Sequence, residues 1–509
     1  MCSESDRAGW CVSAAVQRHE NVAAGRIDSA KQGALRCVTL AGDTAPPMSA
    51  PSGQAGGDAM GIASPPQRAA QGPRRGRAPA ITGVCLLLAL AAGLGGCASP
   101  SLSASPGSAP DRSQTGVHGH ASAADRQSEQ LERMVVVFRH GVRAPLQGEA
   151  AAAQYADQPW PQWSTPASLL TPRGRKAVRL SGAYLRQWLT QQALLPRTGC
   201  PAPGSVSVWA NTDQRTIDSG ALLADALAPG CGIVAGHREA GSNDPLFRPI
   251  EAGAVPFDAA AAVASIQQQT GGPAAVMHGH AAELQAMQQI LGCTRTPCDF
   301  ARMPSTLAPS ANGRGLALGG PIDLTSGTGE VLLLQYADGL PLSQVGWGRA
   351  TPERLAQVSR LHALLFDIYA RPHYMAQRSG APLAREVLQR FDDARAPTLS
   401  LFVGSDTHIA ALSSLLGVHF HLPGYGADDP PPGGALLLGL WRQPDGTRVV
   451  RARYLAQSLD QLRTLAPLDL AHPPLQQELT LDVCASEQRM ACPLPAFAKA
   501  LEQQLKLDP

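Results

Sequence analysis

The chain has 509 residues, 44% of them hydrophobic, and carries a formal net charge of +2 at pH 7. That length can bury a large core and suggests roughly two to three domains. The near-balanced charge, with no long basic run in the second half, leaves nothing that argues for nucleic acid as the main partner.

In chain order, the first patterned stretch runs from Arg74 to Cys97, RRGRAPAITGVCLLLALAAGLGGC. A basic start, an apolar run and small residues ahead of a cysteine are the layout of a bacterial export signal. The run from Val84 to Leu94 is too short to span a membrane. Leu94-Gly95-Gly96-Cys97 resembles a lipoprotein signal, in which Cys97 becomes the lipid-modified first residue. Ala98 follows it, and by analogy the absence of Asp there points to the outer membrane; a plain signal cut nearby is the alternative. Arg74-Arg75 also hints at twin-arginine export. More than seventy residues precede the basic pair, against about thirty for an ordinary signal, so Met60 is an alternative start. Residues 1–97 are therefore read as an N-terminal extension plus signal segment. Residues 98–130, rich in Ser, Ala, Gly, Asp and Gln, are read as a flexible tether.

Folded sequence begins near Leu131. Met134 to Phe138 is a continuous apolar, β-branched run, which predicts a strand buried on both faces of a central parallel or mixed sheet. Thr171-Pro172 can cap and start a helix whose apolar face comprises Ala177, Leu180, Tyr184 and Trp188. Val206 to Ala210 predicts another buried strand, followed by a helix from about Thr212 to Ala228 that stops at Pro229-Gly230. From about Ala260 to Leu383 the pattern turns to Ala/Gln-rich helices with few strand signals. Strand signals return at Leu401 to Val403, and at Leu436 to Arg442 and Val449 to Ala456, the last two joined through Pro444-Asp445-Gly446 as a hairpin. A last helix is predicted near Pro495 to Leu505. Strand and helix alternation implies an α/β fold. The expected organisation is an α/β domain from 131–260 and 384–509 around a helical domain at 261–383.

After Cys97 there are six cysteines, Cys200, Cys231, Cys293, Cys298, Cys484 and Cys492, an even number that suits an oxidising compartment. Six allow fifteen pairings, of which neighbour to neighbour is the simplest. A zinc site fits poorly, because no CxxC pair exists. His278-Gly-His280 and His419-Phe-His421 have no nearby carboxylate or cysteine set and are read as structural or surface residues, so no metal is expected.

The stretch VVVFRHGVRAP, Val135 to Pro145, runs from the buried strand straight into Arg139, His140 and Arg143. In open α/β sheets ligands sit beyond the carboxyl ends of strands. Two forked guanidiniums match phosphate oxygens, and a histidine between them can act as a nucleophile, its neutral form favoured by the neighbouring cations. Gly141 is expected to let the backbone approach a ligand closely.

RHGVRAP resembles the signature of the histidine acid phosphatase family, which includes bacterial phytases and periplasmic glucose-1-phosphatases. The similarity extends through WANTDQRT (Trp209 to Thr216), NDPLFRP (Asn243 to Pro249), GEVLLLQYADGLPLSQVGWG (Gly329 to Gly348) and GSDTHIA (Gly404 to Ala410), and the six cysteines fall where bacterial members place neighbouring disulfides. The resemblance implies a phosphoglycerate-mutase-like central mixed sheet flanked by helices, with a mostly helical inserted domain. It implies an exported acid phosphatase acting on phosphomonoesters, sugar phosphates such as glucose 1-phosphate and also phytate. His140 would form a phosphohistidine, Asp406 would protonate the leaving oxygen, and Arg139, Arg143 and Arg215 would clamp the phosphoryl group. No metal or other cofactor is implied, the partner is a small phosphorylated substrate, and contact with a membrane comes only through the lipid anchor, in the periplasm or on the outer membrane.

Two departures from the family stand out. Where the family carries His-Asp, this chain has Ser405-Asp406, so Ser405 can still donate to phosphate but brings no charge. His408 is the nearby group that could replace that charge, against which stands its place at the start of a helix. Secondly, Leu146-Gln147 follow RAP where phytases place Thr-Lys, a lost cation that leans toward the glucose-1-phosphatase branch, with Glu330 expected to meet substrate or its hydroxyls. One rival is a phosphate-binding lipoprotein whose catalysis is weakened by Ser405; a mutase-like transferase is disfavoured by export and disulfides.

Overall fold

The computed structural model describes residues 129–507. The export signal, the Cys97 lipidation site and nearly all of the 98–130 tether lie outside the described residues. Strand β1 (Gln130–Arg139) is followed by α1 (Pro172–Gln191), β2 (Val206–Ala210), α2 (Gln214–Leu227) and the short β3 (Gly236–His237). Helices α3 (Ala259–Thr270), α4 (Pro273–Met277) and α5 (Ala281–Leu291) lead to a hairpin of β4 (Thr306–Pro309) and β5 (Leu316–Gly319). Three longer helices, α6 (Pro321–Ala337), α7 (Pro352–Tyr369) and α8 (His373–Asp392), precede β6 (Leu399–Gly404) and α9 (Asp406–Leu416). Then come β7 (Ala435–Arg442), β8 (Arg448–Ala456), α10 (Leu459–Thr464), β9 (Leu475–Leu479), β10 (Cys492–Pro493) and α11 (Leu494–Gln504).

The main sheet has the order β10-β8-β7-β1-β6-β2-β3, with β9 also paired to β8. β1, β6, β2 and β3 run parallel to one another, whereas β7, β8, β9 and β10 form antiparallel ladders, so the sheet is mixed as expected. β1 lies in its middle and side chains alternate across it. Val135 and Val137 join the core built largely from α3 and α5–α9, while Met134, Val136 and Phe138 pack toward α1 and α2. Val135 to Phe138 are each at most 1% exposed. Burying each such side chain contributes about 1.5–3 kcal/mol, which anchors β1 in the middle of the sheet.

The start of α1 fixes the loop that leaves β1. Thr171 caps the helix by accepting the Gly174 N–H at 2.8 Å, and its own N–H donates to the Val142 carbonyl at 3.0 Å. The close approach of this loop to α1 leaves no room for a side chain at two positions. A Cβ on Gly174 would stand 2.0 Å from the Val142 oxygen, and one on Gly141 would stand 2.5 Å from Val178 Cγ2. The glycine at 141 therefore serves the close packing of α1.

Between 259 and 392 helices dominate, interrupted by the β4–β5 hairpin that the sequence pattern did not signal. A boundary at 383 would cut α8, which runs unbroken past Pro382. The β7–β8 hairpin forms over the expected residues, its turn held by Asp445 Oδ1 accepting the Thr447 N–H and by Gly446 at φ +84°. The six cysteines pair as Cys200–Cys231, Cys293–Cys298 and Cys484–Cys492. Among the described residues no helix is long and apolar enough to cross a membrane.

Candidate active site

Three parallel neighbours end side by side: β1 pairs Arg139 with Gly404 of β6, and β2 pairs Ala210 with Val403. The registers continue beyond the strands. The His140 N–H donates to the Gly404 carbonyl at 3.0 Å, and the Asn211 N–H donates to the Val403 carbonyl at 2.9 Å. From the antiparallel side the His140 carbonyl accepts the Gly433 N–H at 2.9 Å. Arg139-His140, Ser405-Asp406 and Asn211 to Arg215 thus converge at one sheet end although they are far apart in sequence, the place where open α/β sheets hold ligands.

His140 is 2% exposed. Its Nδ1 lies 2.9 Å from the Gly141 carbonyl and donates to it, which leaves Nε2 as the unprotonated nitrogen. Burial lowers the imidazole pKa, and Arg215, Arg139 and Arg143 lower it further, so the ring is held neutral well below the usual histidine range.

Arg139 is fully buried and sits in a chain of carboxylates. It pairs with Glu330, donates to the Pro430 carbonyl, and meets Asp406 Oδ2 at 2.9 Å. Glu330, expected against substrate, is 1% exposed and faces Arg139 instead. Its second oxygen lies 3.8 Å from Nδ1 of His362, which donates to Asp429 Oδ1 at 2.7 Å. Burial alone would lower the His362 pKa, but Asp429 and Glu330 outweigh it and push it up to about 9, so this imidazole is cationic. Arg143 makes a forked pair with Glu149 at 2.6 and 2.7 Å.

Asp406 is the first residue of α9. Burial raises its carboxyl pKa, yet Arg139 and His362 prevail and hold it far below the usual carboxylate range. The free protein therefore keeps Asp406 ionised, a different resting state from the protonated acid the chemistry requires with substrate bound.

The wall beside this floor is a cavity lined by Asn211, Asp213, Arg215, Arg248, Ser405 and Thr407, among others. Asp213 accepts from Arg215 at 3.1 Å and from Arg248 at 2.5 Å. His408 also lines it but offers no charge: its Nδ1 accepts the Ser405 N–H at 2.8 Å, its Nε2–H donates to the Phe247 carbonyl at 2.8 Å, and burial holds its pKa down to about 4. Above about pH 4 His408 is therefore neutral and supplies no replacement cation. Among the described residues, the Nε–H donors of Arg139, Arg143 and Arg215 are buried without an acceptor.

The structure brings together Arg139, His140, Arg143, Arg215, Ser405 and Asp406, with Glu330 one layer behind. Glu149, Asp213, Arg248, His362 and Asp429 were not singled out by sequence. Arg248 lay inside the quoted NDPLFRP stretch, whereas His362 sits in an ordinary helical pattern that gives no local signal. His280 and His419 do meet carboxylates, Glu283 at 3.7 Å and Asp428 at 2.7 Å, which corrects the sequence reading; no group of three metal-binding side chains occurs among the described residues.

Residues 130–296 match the family description "Histidine phosphatase superfamily (branch 2)". Phytase AppA of Escherichia coli is 32% identical over 403 residues, which cover 73% of this chain and 91% of that protein. Glucose-1-phosphatase of Salmonella typhimurium is 28% identical over 390 residues, covering 74% and 93%. The solved Hafnia alvei phytase in complex with tartrate superposes with a TM-score of 0.70 at 34% identity, covering 74% of this chain and 98% of that one.

Proposed function

The chain belongs to branch 2 of the histidine phosphatase superfamily, and on that premise we propose that it is an acid phosphatase hydrolysing phosphomonoesters through a phosphohistidine at His140. One observation carries the reading: a buried, neutral His140 with a free Nε2, under the field of three arginines whose Nε–H groups lack protein acceptors. Buried N–H donors without a partner each cost about 1–3 kcal/mol, so a bound phosphoryl group that took up donors of these arginines would be favoured.

In the proposed reaction Nε2 of His140 attacks phosphorus in line, the bond to the ester oxygen breaks, and Asp406 gives that oxygen a proton. Water then attacks the phosphohistidine, Asp406 takes a proton back, and phosphate leaves. Arg139, Arg143, Arg215 and the Ser405 hydroxyl hold the equatorial oxygens as charge spreads over them. Glu330 acts through Arg139, fixing the guanidinium that Asp406 also touches.

Asp406 is ionised before substrate arrives, so its proton has to come with the complex. A phosphomonoester near or below pH 6 carries a proton of its own. Its oxygens compete with Asp406 for Arg139 while adding negative charge beside it, and both effects raise the carboxyl pKa. An acidic optimum follows from the substrate's ionisation rather than from the free carboxyl.

The substrates proposed are sugar phosphates such as glucose 1-phosphate, and phytate. Leu146 and Gln147 bring no cation after RAP, which favours lightly phosphorylated esters. Export to the periplasm, with Cys97 lipidated at the outer membrane, is part of the same proposal and rests on the RRGRAP…LGGC segment.

The test is turnover of p-nitrophenyl phosphate, glucose 1-phosphate and phytate from pH 3 to 7, with chelator present, by the protein and its His140→Ala variant. Turnover lost in the variant is the expected result. Phosphate binding without turnover of any ester would replace this reading with that of a binding lipoprotein.

A further inference from the structure

Asp213 gathers three donors on one oxygen: Arg248 Nη2 at 2.5 Å, Arg215 Nη2 at 3.1 Å and Asn211 Nδ2 at 3.3 Å. One carboxylate cannot satisfy two guanidiniums with five donors each. The cavity wall therefore keeps spare cationic donors, and they increase toward solvent: Arg215 is 13% exposed and Arg248 29%. The other carboxylate on this lining, Glu251, is exposed and makes no ion pair with either arginine among the described residues.

Arg248 is also held in position. Its N–H donates to the Asp244 carbonyl at 2.7 Å, and Asp244, 2% exposed, accepts the Trp209 indole N–H from β2 at 2.9 Å. The preceding Phe247 carbonyl accepts the His408 Nε2–H, and the two rings meet edge-on with centroids 5.1 Å apart. The residue is thus tied both to β2, which delivers Arg215, and to α9, which begins beside Ser405. Ser405 is uncharged and His408 is neutral, and Arg248 lines the same cavity as Ser405 while sharing its only carboxylate among the described residues, Asp213, with Arg215.

We propose that Arg248 is a substrate-binding residue whose guanidinium takes the phosphoryl oxygens next to Ser405 and supplies the positive charge that Ser405 lacks. The proposal rests on the phosphatase reading above and adds a residue to it. Asp213 would hold Arg248 and Arg215 at one spacing, as a paired clamp facing the Arg139 and Arg143 floor.

The test compares wild type, Arg248→Ala, Arg248→Lys, and Ser405→His alone and combined with Arg248→Ala, using p-nitrophenyl phosphate turnover and calorimetric binding of inorganic phosphate. Arg248→Ala is expected to lose roughly 10²-fold in kcat/KM, as removal of one preorganised donor does, to bind phosphate at least tenfold more weakly, and to unfold at the wild-type temperature. Arg248→Lys should recover part of both, and Ser405→His should raise kcat/KM at least tenfold more in the Arg248→Ala background than in wild type, because a cation restored at 405 matters most when 248 is empty of charge. Unchanged turnover and phosphate affinity in Arg248→Ala would overturn the proposal while leaving the phosphatase reading standing. So would equal effects of Ser405→His in both backgrounds. If wild type itself shows no turnover, the phosphatase reading fails, and phosphate affinity still decides the role of Arg248.

Discussion

On the floor of the cleft Arg139 and Arg143 are 0% and 4% exposed, and carboxylates engage each of them: Glu330 and Asp406 for one, a forked Glu149 for the other. On the wall Arg215 and Arg248 are 13% and 29% exposed and share Asp213. The floor is preorganised: its charges are desolvated, fixed and balanced before a ligand arrives, so little reorganisation remains for the reaction. The wall carries its charge closer to solvent, with two arginines on one carboxylate, whereas on the floor, among the described residues, only the Arg139 and Arg143 Nε–H groups lack a partner. A buried charge whose partner is removed costs about 3–5 kcal/mol, whereas a partly exposed one costs far less, so the two regions should answer mutation differently.

The largest effect is expected at Asp406. Asp406→Asn should reduce glucose 1-phosphate hydrolysis by roughly 10²–10⁴-fold but p-nitrophenyl phosphate hydrolysis far less, because a nitrophenolate departs without a proton; equal losses on both esters would remove Asp406 from the acid's role. Next comes the floor's stability. Glu330→Ala should lower the unfolding free energy by about 3–5 kcal/mol in urea denaturation, and Asp213→Ala by clearly less; the reverse order would erase the distinction between floor and wall.

Two pH dependences sharpen it further. With the His140 pKa lowered by burial and by Arg215, and Asp406 already ionised in the free protein, neither group is expected to set the alkaline limb of kcat/KM. The alkaline limb should instead follow the second ionisation of the ester, near pH 6, and shift across a series of esters with different phosphate pKa values. A limb that stays fixed would contradict the proton's route. Smaller still is the His362 effect. A pKa raised from about 6.5 unfolded to about 9 folded contributes stability that is complete below pH 6.5 and is lost as pH climbs to about 9. The wild-type urea midpoint should fall over that window, and His362→Gln should flatten the fall.

What the sequence made legible divides along the same line. The floor announced itself because β1 carries a two-sided apolar run and ends in Arg139, His140 and Arg143, so strand, nucleophile and clamps share one short stretch. The strands β2 and β6, the β7–β8 hairpin and the neighbour disulfides were readable for the same reason, each resting on local pattern. The wall was only partly readable: Arg215 and Ser405 were named through the family-like stretches that hold them, whereas the roles of Asp213 and Arg248 depend on the adjacency of β2, β6 and the loop at Asp244. His362 and Asp429 were missed on the same ground, their pairing depending on α7 packing near the loop before β7. Gly141 adds a contact the motif did not signal: a Cβ there would run into Val178 of α1.

The central claim is that Nε2 of His140 carries the phosphoryl group between two half-reactions, and acid-free rapid quenching followed by peptide mapping tests it most directly. Wild-type protein mixed with a ³²P-labelled ester at low temperature should carry label on the peptide containing His140, in base-stable and acid-labile form, and His140→Ala should carry none and turn nothing over. Turnover persisting in His140→Ala, or label that maps to another residue, would contradict the account.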